Sequence, residues 1–179
     1  KFIIFLNSGD IFFNSYALEI YFRKSLNVNI ESSLIFGQAN IIANKNINWY
    51  FPGDNLNNIK HWLRYFEPNH QTMLISNNLA KRINFPTKYN IIGDGYWKRK
   101  ILNEAIEVLF IKKPLIKFFL DGVSSTKPSR KVFKDLIKNK NIYLHRKAIF
   151  IIKYYLPSEI FSFYYLMQKF KSKLIDLLL

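Results

Sequence analysis

The chain has 179 residues, 49% of them hydrophobic and 17% aromatic, with 17 Phe and 11 Tyr. That is enough apolar surface for one domain with a real core, and it excludes a disordered chain. Cysteine is absent, which removes disulfides and thiolate metal sites and fits a reducing cytoplasm. The formal net charge is +15, and twelve Lys and Arg stand against two acids, Asp135 and Glu159, between Lys127 and Lys173. A tail of that kind suits an anionic partner such as nucleic acid, lipid or a phosphate-bearing substrate. The Lys-, Asn- and Ile-rich composition of the whole chain accounts for it equally well.

The chain opens at Lys1, and Phe2 to Leu6 reads as a buried strand ending in the turn tetrapeptide Asn7-Ser8-Gly9-Asp10. No signal-peptide pattern is present, and an opening on a core strand predicts a start in the middle of a larger fold. A helix follows, beginning at Asn14 or Ser15, with Leu18, Tyr21 and Phe22 on its inner face. Residues 33 to 43 read as one or two strands, Asn44 to Asn46 as a turn, and Ile47 to Phe51 as a further strand. Pro52-Gly53-Asp54 is a loop, and a short helix covers Asn58 to Tyr65. A polar connection, Glu67 to Gln71, leads into a strand from Thr72 to Ile75 and a helical turn from Asn77 to Ile83.

Gly93-Asp94 opens a helix through about Asn103. Two apolar strands, Ala105 to Ile111 and Leu115 to Leu120, precede a small-residue loop from Gly122 to Pro128. From about Ser129 the chain reads as helical, with Pro157-Ser158 between two amphipathic segments. Strands mixed with helices predict an α/β or α+β class. No apolar run approaches the roughly 18 residues of a membrane span.

Four segments carry candidate chemistry. Asp10 ends a strand, where open α/β sheets bind ligands, and a carboxylate there holds a hard divalent cation or simply closes an Asx turn. Asp94, between two glycines at a helix start, is either a general base kept ionised by backbone N–H groups or a plain cap. His70-Gln71, beside Glu67, contacts an acceptor sugar or donor phosphates, or else His70 is a half-buried structural histidine. Asp121-Gly122-Val123-Ser124-Ser125 is a phosphate cradle or a turn with a Ser cap. There is no Gly-x-Ser-x-Gly, no His-Glu-x-x-His, and no close acid pair suited to glycoside hydrolysis.

In order along residues 1 to 140, several pieces resemble the family 2 glycosyltransferases near colanic-acid and capsular-polysaccharide synthesis. They are Phe5-Leu6-Asn7-Ser8-Gly9-Asp10, Ile35-Phe36-Gly37-Gln38, His70-Gln71, Phe85 through Tyr89 to Gly93-Asp94, and Phe118 through Ser124. The resemblance implies a partial glycosyltransferase A-type, Rossmann-like mixed sheet flanked by helices, over residues 1–125. It leaves residues 126–179 as a basic, amphipathic helical extension. It also implies that the family's nucleotide-binding elements precede Lys1.

The resemblance implies an Asp-x-Asp-like metal motif whose last acid is Asp10, with Ser8 in place of the first, for Mg2+ or Mn2+. Asp94 becomes the catalytic base, and Arg99, His70, Gln71, Ser8 and Gly9 become donor-diphosphate or substrate contacts. A strand-end position often acidic in relatives is Gln38 here. The implied reaction is inverting transfer from a nucleotide-sugar donor to a saccharide or lipid-linked acceptor in surface polysaccharide synthesis. Tyr154, Tyr155, Phe161, Phe163, Tyr164 and Tyr165 interleave with Lys153, Lys169, Lys171 and Lys173. That pattern suits a helix lying on an anionic membrane surface, hence a cytoplasmic enzyme peripheral on the inner face of the plasma membrane, or a helix pair packed on the core. The rival readings are a non-enzymatic basic module for membrane or nucleic acid, and an inactive transferase fragment. The aromatics fall mainly in apolar strand and helix runs, which suits a core and argues against a nucleic-acid surface.

Overall fold

The computed structural model describes residues 1–28, 31–86, 93–120, 144–155 and 160–178, together with Arg130, Phe133, Lys134, Ile137 and Pro157. The loop around Asp121 to Ser125 and the stretch from Tyr89 to Ile92 lie outside the described residues.

The fold is a mixed α/β sheet flanked by helices. Its centre is β3 (Ser33–Asn44), whose apolar residues point alternately to the two faces, as the period of a strand requires. Leu34 and Phe36 enter one core together with Trp62, Met73, Ile75, Leu79, Trp97 and Ile101. Ile35, Ala39 and Ile41 enter a second core with Ala17, Tyr21, Leu74, Ile111, Leu115 and Ile116. A strand buried on both faces needs helices on both sides, and it has them. α1 (Ala17–Ser25) covers the second core. α2 (Ile59–Tyr65), α3 (Asn77–Arg82) and α4 (Gly93–Glu104) cover the first.

Strands run in the order β1 (Phe2–Ile3), β5 (Met73–Ser76), β3, β6 (Glu107–Phe119), β2 (Ile11–Phe12), and β4 (Ile47–Phe51) pairs with the far half of β3. Among the described residues only β3 and β6 pair in parallel; the other pairings are antiparallel. The β3–β4 hairpin turns where Asn44 Oδ1 accepts from the N–H groups of Asn46 and Ile47, both at 2.9 Å. Asn58 caps α2 by accepting from His61 N–H at 3.0 Å. α5 (Leu144–Tyr155) and α6 (Phe161–Leu178) make up the helical extension, and α6 rests on β4.

Several sequence expectations change. The opening strand is two residues long and sits at the edge of the sheet, not in its core; Phe5 and Leu6 are 43% and 40% exposed. The inner face of α1 is Ala17, Tyr21 and Ser25, while Leu18 and Phe22 point outward. The two expected strands after Ala105 are one strand, β6. Its pairing with β3 steps from Gly37↔Ile111 to Gln38↔Pro114 and then to Ala39↔Ile116. Extra residues bulge out around Pro114, which has no N–H to give the ladder. β2 had no sequence expectation at all.

The bulge explains Gly37. Tyr21 lies across it, and a Cβ on Gly37 would fall 1.2 Å from the Tyr21 oxygen. Tyr21 Oη donates to the carbonyl of Lys113 within the bulge at 2.6 Å. Burial pushes the phenol far above its ordinary range.

Candidate functional site

Residues 4 to 10 leave β1 at one edge of the sheet and reach β2 at the other. The turn from Asn7 to Asp10 closes with Asp10 N–H donating to Asn7 O at 3.2 Å. Gly9 has φ +93°, and among the described residues no non-glycine has a positive φ. A positive φ at the third position alone makes this a type II turn, which favours glycine there. Ser8 and Gly9 stand exposed at its tip.

Asp10 is held from two sides. Its Oδ1 accepts from the backbone N–H of Phe119, the last residue of β6, at 2.8 Å. Its Oδ2 accepts from Gln71 Nε2 at 2.7 Å. The same Gln71 amide accepts from Asn7 N–H through Oε1 at 2.9 Å. Gln71 is wholly buried, and its amide orients Asp10. The orientation of its amide follows from these two partners, one a donor and one an acceptor.

The segment before β5 is the organiser of the site. Asn69 Oδ1 caps the single 3-10 turn His70–Thr72, accepting from Gln71 N–H at 2.9 Å. This turn presents Gln71 to Asp10 and His70 to α4. His70 Nδ1 lies 3.5 Å from Asp94 Oδ2. Asp94 sits in the first turn of α4, where the helix dipole favours a carboxylate, and its side chain is 40% exposed.

Burial lowers the His70 pKa below its ordinary 6.5, and Lys98 adds to that; Asp94 and Asp10 both pull the other way. The net direction is down, so His70 is neutral at pH 7. Both carboxylates are therefore felt at one imidazole, one acid from the turn before β2 and one from the helix start.

Trp97 explains why α4 stands where it does. It lies one turn after Asp94, is buried, and donates from Nε1 to the carbonyl of Ile83 at 2.9 Å. Its ring meets Phe5 edge-on at 5.2 Å and Phe85 at 5.7 Å. Phe5 is two residues before the Asn7 turn, so this contact ties the two acids' elements together. Glu67 completes the clasp. Arg99 Nε and Nη2 both donate to Glu67 Oε1, at 2.9 and 2.6 Å, and Lys98 Nζ is 3.7 Å from Oε2. The guanidinium expected at a diphosphate thus binds Glu67, with its side chain 64% exposed.

No family model, curated protein or solved structure matches this chain.

Of the sequence-predicted residues, Gln71 holds Asp10, His70 lies beside Asp94, Ser8 and Gly9 form the exposed turn before Asp10, and Arg99 pairs with Glu67. Sequence reasoning did not single out Trp97 or Glu67 as positioning residues. Trp97 offered a usable signal, since it follows Asp94 by three positions on a helix and shares its face. Gln38, expected at a strand end, instead lies in the middle of β3; it is buried and donates to Pro52 O at 3.0 Å and Asp54 Oδ1 at 2.9 Å, which fixes the loop after β4. Among the described residues, no three His, Cys, Asp or Glu gather in a metal-binding group.

Proposed function

We propose that the protein transfers a glycosyl group from a nucleotide-diphosphate sugar to a hydroxyl of a saccharide or lipid-linked acceptor, on a glycosyltransferase A-type core. The observation that carries this reading is that one 3-10 turn serves both acids: His70 lies 3.5 Å from Asp94, and the next residue, Gln71, holds Asp10 at 2.7 Å. The two acids arrive from distant parts of the chain and are held by different means, which suits two different roles.

Asp10 has one hydrogen bond on each carboxylate oxygen, and a carboxylate has about four acceptor sites. The remaining capacity fits one Mg2+ or Mn2+, ions that commonly take one or two carboxylates and fill their shell with water and substrate phosphate. When bound there, such an ion offsets negative charge on the departing diphosphate.

Asp94 takes the proton of the acceptor hydroxyl. As that O–H bond gives up its proton, the oxygen bonds to the anomeric carbon from the face opposite the diphosphate. The bond from the anomeric carbon to the diphosphate oxygen breaks, and its electron pair leaves with the nucleoside diphosphate. The configuration inverts. His70, neutral by burial, borders Asp94 without neutralising it.

Loss of a positioned base costs about 10²- to 10⁴-fold in rate, about 3–5 kcal/mol of barrier. The test is transfer by the intact protein across a panel of nucleotide-sugars with Mn2+. Asp94→Asn should lose turnover by that factor and keep its unfolding midpoint. Transfer at near the wild-type rate would contradict the role given to Asp94.

A further inference from the structure

α6 has two apolar faces, and the fold uses one. Its inner face lies against β4 through Tyr165, Ser172 and Ile175, over a cleft of about 360 Å³ that Trp49, Phe51 and Leu120 also line. On the other side, Phe163, Leu166, Met167, Phe170, Leu174 and Leu177 follow the i, i+3, i+4, i+7 spacing of a single helical stripe. These six are between 46% and 70% exposed. At 3.6 residues per turn, Lys171 borders the stripe on one side, and Lys169 and Lys173 border it on the other.

We infer that this outward face of α6 docks on an anionic lipid bilayer, lying in the plane of the interface. An apolar stripe edged by lysines sinks to the boundary of headgroups and acyl chains while the ammonium groups reach out to the phosphates. Charge complementarity selects this occupant over a second copy of the chain. A two-fold pairing of α6 with itself brings one copy's lysine edges to the other's, on a protein with net charge +15. Among the described residues no helix is long and apolar enough to cross a membrane, so the helix lies on the bilayer and does not span it. The site lies close by. Leu120 lines the cleft under α6, and the neighbouring Phe119 N–H holds Asp10. This inference does not depend on the transfer chemistry.

The test is co-sedimentation of the intact protein with phosphatidylglycerol-containing vesicles and with pure phosphatidylcholine vesicles, at low and high salt. Wild type should pellet with the anionic vesicles, and salt should weaken it. The triple variant Lys169→Gln/Lys171→Gln/Lys173→Gln should lose about fivefold per lysine, on the order of 100-fold in partitioning. The variant Phe163→Ser/Phe170→Ser/Leu174→Ser keeps every charge and should also lose binding, with its circular dichroism and melting midpoint unchanged. Undiminished binding by that serine variant would overturn the inference, because generic basic attraction would then suffice. So would an absence of wild-type binding to anionic vesicles, or a dimer in sedimentation equilibrium that the serine variant abolishes while vesicles bind neither form.

Discussion

Replacing Gln71 by Leu keeps the volume and removes both ends of the amide that orient Asp10. Gln71 Nε2 donates to a carboxylate at 2.7 Å, and a hydrogen bond to a charged group contributes about 1.5–3 kcal/mol. Asn7 N–H loses its acceptor as well, but Asn7 is exposed and water can take the bond at small cost. The buried side of the Asp10 carboxylate has no such replacement, since Gln71 is fully enclosed. The expected cost is about 3 kcal/mol, which for a chain of this size lowers the melting midpoint by about 6–12 °C. Thermal unfolding followed by circular dichroism reads it. Gln71→Glu sharpens the test. It sets a second carboxylate against Asp10, so its loss of stability should be larger at pH 8 than at pH 4.5, where the pair can take up a proton. A drop of less than about 2 °C for Gln71→Leu, or a Gln71→Glu defect that does not ease in acid, would show that Gln71 does not hold Asp10.

Gly37→Ala should destabilise the protein by about 2–4 kcal/mol, since the new methyl displaces the buried Tyr21 ring and its bond to Lys113 O. Urea unfolding should show Gly37→Ala costing less in a Tyr21→Leu background than alone; additive costs would place the strain elsewhere. His70 has a lowered pKa in the folded protein, so the unfolded chain binds the extra proton first as pH falls. Its contribution to stability is complete above its ordinary pKa of 6.5 and drains away as pH falls through 6.5 toward the folded value, at no more than about 1.4 kcal/mol per pH unit. His70→Gln should flatten that slope in denaturant titrations run at several pH values, and an unchanged slope would assign it to other groups.

Local chemistry was legible in the sequence wherever a segment carries its own signal. The Asn44 turn, the Asn58 cap and the start of α4 at Gly93-Asp94 all depend on side-chain oxygens or glycine acting within a few residues. Where the outcome depends on a distant partner, the pattern misled. Phe2 to Leu6 is apolar enough for a core strand, yet it forms an edge, and Phe5 is spent on Trp97. Leu18 and Phe22 fit a helical face as well as Ala17 and Ser25 do; the presence of Gly37 beneath Tyr21 decides which face turns inward. Pro114 reads as a break between strands because a ladder cannot use it, and only pairing with β3 shows a bulge instead. At the site, Asp94 was legible at its helix start, whereas Asp10, read as ending a strand, stands in the turn just before β2. What was not visible is the division of labour between neighbours: Gln71 faces inward to fix Asp10, while His70 faces Asp94. Adjacent residues on a 3-10 turn point in different directions, and no sequence rule says which one the substrate sees.

Asp94 at 3.5 Å from His70 and Asp10 on the neighbouring Gln71 put both carboxylates in the field of one imidazole, and a proton titration of His70 by nuclear magnetic resonance tests that directly. The chain has three histidines, so its imidazole signals can be assigned by substitution. Both acids raise the His70 pKa against the effect of burial. Asp94→Asn and Asp10→Asn should each move the His70 midpoint further down, Asp94→Asn by the larger amount. A midpoint that stays put in both variants would mean that the two carboxylates do not share a site.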